Sequence, residues 1–139
     1  MTALPHWPAG ALAVLATSAD DGPYAEVVHG PVRAASDSVL LSVPRAGRTL
    51  ARLRSGTRDA ALALMAADAP WTVRGRARIL ADPMAADGEF AAVELTVTAV
   101  EGHPATDGGG LERRGAALGR LAVVRLRCRA AAGALPAEG

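Results

Sequence analysis

Aromatic residues are scarce in this chain, with two Trp, one Tyr and one Phe among 139 residues, 3% of the whole. Hydrophobic content is nonetheless 50%, so the core has to be built from Ala, Val and Leu. Such side chains bury little area each. A single-chain core made of them is modest, which raises the expectation of a partner subunit. There are 33 alanines and fifteen arginines but no lysine, a bias of genomic composition rather than of function. The net charge of +1 leaves no overall basicity for nucleic acid, and aromatics for base stacking are too few. One cysteine, Cys128, excludes an internal disulfide framework. It occupies an apolar-face position in Val124-Arg125-Leu126-Arg127-Cys128-Arg129 and is expected to be a core thiol. No basic head leads into a long apolar run at the N-terminus, and no 18-residue apolar stretch occurs. The expected location is the cytoplasm, away from membranes, in one domain covering residues 1–139.

Catalytic signatures are missing as well. His6, His29 and His103 lie far apart and form no HxxxH or CxxC pattern, so no metal site is expected. Ser42 lacks the GxSxG elbow, and no GxGxxG follows a strand. Asp20-Asp21 belongs to a turn sequence. The chain thus shows no catalytic group of its own, and catalytic residues stay unassigned. An enzyme built this way borrows its chemistry from a cofactor.

What is present is a series of strand-sized pieces. Ala11 to Ser18 reads as a first strand, ended by Asp20-Asp21-Gly22-Pro23. Tyr24 to Ala34 reads as a second, bent at Gly30-Pro31, and Ser38 to Val43 as a third. A helix is expected over about Gly47 to Ser55, with Gly56 as its stop. Arg58 to Ala66 gives a fourth strand. In Trp71 to Leu80, Val73, Gly75, Ala77 and Ile79 alternate with Arg74, Arg76 and Arg78, a period of two. After Asp82-Pro83 a short helix or loop leads to a sixth strand, about Phe90 to Val100. Gly102 to Gly119 is unassigned, with Gly108-Gly109-Gly110 read as a loop. Leu121 to Arg129 is expected to be a last strand, with a frayed tail after Ala130. If both arginine-bearing strands flank the sixth, Glu94 and its threonines supply cross-strand partners. The sum is a mainly β protein, a six- to seven-stranded antiparallel split β-barrel with one or two short helices.

One stretch concentrates polar chemistry. Ser42-Val43-Pro44-Arg45-Ala46-Gly47-Arg48-Thr49-Leu50-Ala51-Arg52-Leu53 runs from a strand through a Pro/Gly loop into the helix. At 100° per residue Arg45, Arg48 and Arg52 gather on one side, opposite Ala46, Leu50 and Leu53. Arginine forks and a threonine hydroxyl beside a glycine suit a phosphate monoester. The same spacing also describes a solvated helix face whose arginines bind nothing.

This stretch, together with Trp71-Thr72-Val73-Arg74-Gly75-Arg76-Ala77 and the spacing between the two, resembles the pyridoxamine 5′-phosphate oxidase-like family of flavin-binding split barrels. The likeness covers about residues 8 to 101. It implies a homodimer with FMN in a groove between subunits, acting as a small flavin-dependent oxidoreductase. The alternatives are a deazaflavin-dependent reductase on the same fold, or a cofactor-free dimer that serves as a binding or structural protein. The family's phosphate loop maps onto Ser42, Arg45, Arg48 and Thr49. Its ring-flanking second strand maps onto about Val27 to His29, with Val28 and His29 as the contacts. Trp71 and Thr72 map onto the start of a further flavin-contacting strand. Arg52 stands where the family helix often has Asn, the family's frequent loop lysine is missing, and Leu121 to Gly139 has no Arg-x-His-type motif. A genuine pyridoxamine phosphate oxidase is therefore not implied, and the substrate stays open.

Overall fold

The computed structural model describes residues 3–65, 70–102 and 108–133. It divides the chain into two compact units, 1–104 and 105–139. The first unit is one seven-stranded antiparallel sheet: β1 (Leu12–Ala19), β2 (Gly22–His29), β3 (Val32–Ala35), β4 (Ser38–Pro44), β5 (Asp59–Met65), β6 (Pro70–Ala81) and β7 (Phe90–Gly102). The strands are ordered β2-β1-β5-β6-β7-β4-β3, so β1 and β4 each sit beside a partner distant in sequence. A helix, α1 (Arg48–Arg54), follows β4.

Alternation decides which residues face inward. On β1, Ala13, Leu15 and Thr17 are buried while Leu12, Val14 and Ser18 are exposed. Leu62 and Leu64 of β5, Val73 and Ala77 of β6, and Val93, Leu95 and Val97 of β7 complete the interior with Val39, Leu41 and Val43 of β4. Leu50 and Leu53 of α1, one turn apart, are fully buried among them. The helix ends where expected. Gly56 adopts φ +106°, and the amides of Gly56 and Thr57 donate to Leu53 and Arg52 carbonyls, a Schellman stop that only glycine accommodates without strain.

Two expectations need correction, while residues 82–89 take the loop of the two forms expected there. The second strand is not one bent strand: Gly30, at φ +63°, separates β2 from β3. Leu121 to Arg129 is not a strand but part of α2 (Gly108–Ala131), so the loop expected at Gly108-Gly109-Gly110 is helical too. Alternation in Val124 to Arg129 favours a strand locally, but Ala, Leu and Arg are strong helix formers and no proline interrupts 108–131. Cys128 is accordingly exposed and not a core thiol. Residues 134–139 of the tail, and 103–107 of the unassigned stretch, lie outside the described residues. Among the described residues no helix is long and apolar enough to cross a membrane.

Two of the three arginines of β6 find partners on β7, and Arg76 pairs instead with Asp59 of β5 at 3.5 Å. Arg78 bonds Glu94 at 2.8 Å and Arg74 bonds Glu101 at 3.2 Å, across paired strands. Arg125, Arg127 and Arg129 lie on α2 and take no part in this ladder.

Candidate functional site

Four arginines surround the bend from β4 into α1, and each has a different fate. Arg45 Nε donates to Asp82 Oδ1 at 2.6 Å, and Arg54 Nε donates to Asp82 Oδ2 at 3.0 Å. One carboxylate thus ties the loop before the helix to the helix's last residue. Arg52 turns inward and is only 5% exposed. Its Nη1 donates to the Thr17 carbonyl at 2.9 Å and to Thr17 Oγ1 at 3.2 Å. Its Nη2 donates to Asp21 Oδ1 at 2.9 Å and to the Gly22 carbonyl at 2.6 Å. Arg48, one turn earlier, lies over the Tyr24 ring at 5.1 Å from its centroid and makes no hydrogen bond or ion pair among the described residues. The arginine face expected from helical spacing is therefore divided. Arg52 braces the β1–β2 hairpin, Arg45 is paired, and Arg48 alone stays uncommitted. Thr49 is fully buried, and its hydroxyl has no partner. At Gly47 an added Cβ would meet Glu26 Oε1 at 3.2 Å and the Pro44 carbonyl at 3.3 Å, so a carboxyl group stands beside the bend.

Two of the ion-paired carboxylates carry a pH consequence. Hydrogen bonds from Arg54 and then Arg45 hold the Asp82 carboxyl below its ordinary value, and bonds from Ser38 and then Arg78 do the same for Glu94. A depressed folded-state value means that this stability is present above the ordinary carboxylate range and is lost as pH falls through the folded value. Thermal midpoints should accordingly stay level near neutrality and decline below about pH 4. Asp82→Asn should flatten part of that decline, and an unchanged acid limb in the variant would refute the role given to Asp82.

A second locus lies between β2 and β4, which are not hydrogen-bonded to each other. Val27 and His29 from the outer face of β2, Ser42 and Pro44 from β4, Met84 and Asp87 from the β6–β7 connection, and Phe90 at the start of β7 line a cleft of about 480 Å³. That volume is within the range of small-molecule sites. Its walls are Val27, Pro44, Met84 and Phe90. Among the described residues neither the Ser42 hydroxyl nor the His29 ring makes a hydrogen bond, so both are available to a ligand. Asp87 shapes the turn, accepting a hydrogen bond from the Glu89 amide at 3.2 Å.

Ser42 and His29 therefore meet in one cleft. Val28 does not line it: its side chain is buried in the core and its neighbour Val27 forms the wall. Trp71 and Thr72 sit on opposite faces of β6. Trp71 packs against the core, its ring filling the space where Gly102 would carry a Cβ. Thr72 lies on the outer face in a row with Ala63, Val14 and Val27, which oppose one another across β6, β5, β1 and β2. That outer face is apolar and open: Val27 is 56% and Met65 61% exposed, with Leu12 and Val14 between them.

No protein-family model and no curated protein matches the chain. Solved structures do. An F420 reductase superposes with a TM-score of 0.57 at 14% identity, over 70% of this chain and 98% of the other. A protein related to general stress protein 26, of the pyridoxinephosphate oxidase family from Clostridium acetobutylicum, gives 0.55 at 15%, over 67% and 79%. HupZ of Group A Streptococcus gives 0.56 at 15%, over 70% and 90%. The fold is a pyridoxamine 5′-phosphate oxidase-like split barrel.

In this split barrel the opening lies where β2 approaches β4, and the cleft occupies it. Sequence reasoning missed Tyr24, Glu26, Asp82, Met84, Asp87 and Phe90. Asp82 reads as half of an Asp-Pro turn, and Tyr24 and Phe90 read as strand residues. The one usable signal was rarity, since the chain's only Tyr and only Phe each border one of these loci. Among the described residues no group of three or more His, Cys, Asp or Glu is placed to hold a metal ion.

The donor set fits one half of a flavin nucleotide. The cleft offers apolar walls and two unpartnered polar groups to a flat ring. The bend does not offer a phosphate the seat that its sequence suggests, because Arg45 is paired, Thr49 is sealed in the core and Glu26 stands at Gly47.

Proposed function

We propose that the chain forms a homodimer that binds a flavin-type ring in the cleft between β2 and β4 and serves as a small oxidoreductase in the cytoplasm. The observation that carries this reading is the cleft itself: apolar walls, with Ser42 and His29 both lacking partners inside it. A bound flavin or deazaflavin supplies hydride or electron transfer. The protein's own residues orient and shield. Val27, Pro44, Met84 and Phe90 exclude water from the ring, while Ser42 and His29 hydrogen-bond its polar edge. The open apolar face of β1, β2 and β5 suits a second copy, since exposed patches of this kind mark interfaces, and a copy seated there would cover the cleft wall at Val27.

A specific observation favours a second reading. With Arg45 held by Asp82 and Thr49 buried, a split barrel that binds no cofactor and acts as a binding dimer also accounts for the bend. Light scattering and the blue absorbance of protein purified without added cofactor separate the two. The first reading expects a dimer that is yellow or that takes up FMN or a deazaflavin in side-by-side titrations, with Val27→Arg weakening both assembly and uptake. A colourless dimer that ignores both ligands selects the second. A monomer refutes the dimer in either form.

A further inference from the structure

We infer that ligand binding here depends on the ring and not on a phosphate, and that Asp82 is the residue that closes the phosphate seat. The inference rests on the ring reading above. Of the four arginines at the bend, Arg52 is committed inside the fold, hydrogen-bonded to Thr17, Asp21 and Gly22 and lying over the Tyr24 ring. Arg45 and Arg54 converge on the two oxygens of Asp82, so an incoming phosphate has to displace a carboxylate already held by charged hydrogen bonds from both. Glu26, whose Oε2 is buried without a partner, adds a carboxyl group on the Gly47 side, where it opposes a second anion. Thr49 cannot reach outward from the core. The cation left over is Arg48, exposed and stacked on Tyr24.

The ligand class follows from this inventory. A flavin or deazaflavin whose side chain ends uncharged loses little at this bend relative to its phosphate ester. One exposed arginine is worth up to about fivefold in affinity. Asp82 therefore acts as a specificity-determining residue by supplying the anion itself.

Equilibrium titration of the full chain with FMN and with riboflavin, read by flavin fluorescence, tests the inference. In the wild type the two should differ by no more than about fivefold, and Arg48→Ala should remove that difference. In Asp82→Asn the freed Arg45 and Arg54 should tighten FMN by about tenfold or more and leave riboflavin unchanged. A wild-type preference for FMN of about a hundredfold overturns the inference while leaving the ring reading intact. So does an Asp82→Asn effect equal for both ligands. If neither flavin binds, the ring reading fails, and inorganic phosphate decides the closure of the seat. At constant ionic strength, phosphate should raise the thermal midpoint of Asp82→Asn but not of the wild type, and equal responses refute it. Should Asp82→Asn fold poorly, the FMN-to-riboflavin ratio in wild type and Arg48→Ala still decides.

Discussion

Gly75→Ala is expected to destabilise the barrel by about 3 kcal/mol, lowering its thermal midpoint on the order of 15 °C. Gly75 lies on β6 opposite Val97, beside a register shift between Arg74 and Gly75 where β7 carries an extra residue. A Cβ built there falls 2.1 Å from the Thr96 carbonyl oxygen, 2.9 Å from its carbon and 3.1 Å from Val97 Cα. All three are backbone atoms, so no side chain can swing aside. The strands themselves must separate, and β6 is the middle strand of the sheet. Gly88, in the β6–β7 connection, has no atom within 4 Å of its added Cβ and no positive φ, so Gly88→Ala is the matched control. Urea or thermal unfolding followed by circular dichroism should show a large loss in the first and almost none in the second. Equal midpoints would mean that the strands have slack at the bulge.

Arg52→Met is the second large effect, expected to cost about 2–4 kcal/mol. Methionine preserves most of the aliphatic packing but removes four hydrogen bonds from a side chain that is 5% exposed. The carbonyls of Thr17 and Gly22 then lose their donor at the turn end of the β1–β2 hairpin. The visible ion pair with Asp21 is not the main contributor, because Asp21 is 61% exposed and solvent screens it. Asp21→Ala should therefore cost less than about 1 kcal/mol. An Asp21→Ala loss as large as that of Arg52→Met would show that the charge pair, and not the buried carbonyls, carries the interaction.

These two residues also show how far the sequence could be read. Strand positions followed from alternation wherever one face was buried and the other wet, as in β6, and Gly75 already stood on the apolar side of that alternation. That a carbonyl approaches it closely depends on a bulge in β7, which no local pattern in β6 encodes. Helical spacing put Leu50 with Leu53, both buried, but it also set Arg45, Arg48 and Arg52 on one side, a face that the fold divides. It could not assign burial, because the partners of Arg52 come from a hairpin some thirty residues away. The polar residues of the bend were legible as a group, but their pairing was not. Asp82 arrives from the far end of β6, and its carboxylate decides which arginines are free. The meeting of His29 with Ser42 was likewise invisible, since it needs the curvature that brings β2 toward β4. Failure was complete only at α2. There a period of two over Val124 to Arg129 competes with a long run of helix-forming residues, and cumulative propensity prevails.

The outer sheet face has a further property. Ala25, Ala16 and Ala61 stand side by side across β2, β1 and β5, with Ala63 one step along, so its floor is nearly bare backbone. Whatever lies on such a floor comes close to the main chain, and its selectivity has to be set by the taller residues at the margins. Methyl groups could be added to those alanines without disturbing the interior, because adjacent positions on a strand point to opposite sides. The surface is thereby open to remodelling by single substitutions that leave the packed side as it is.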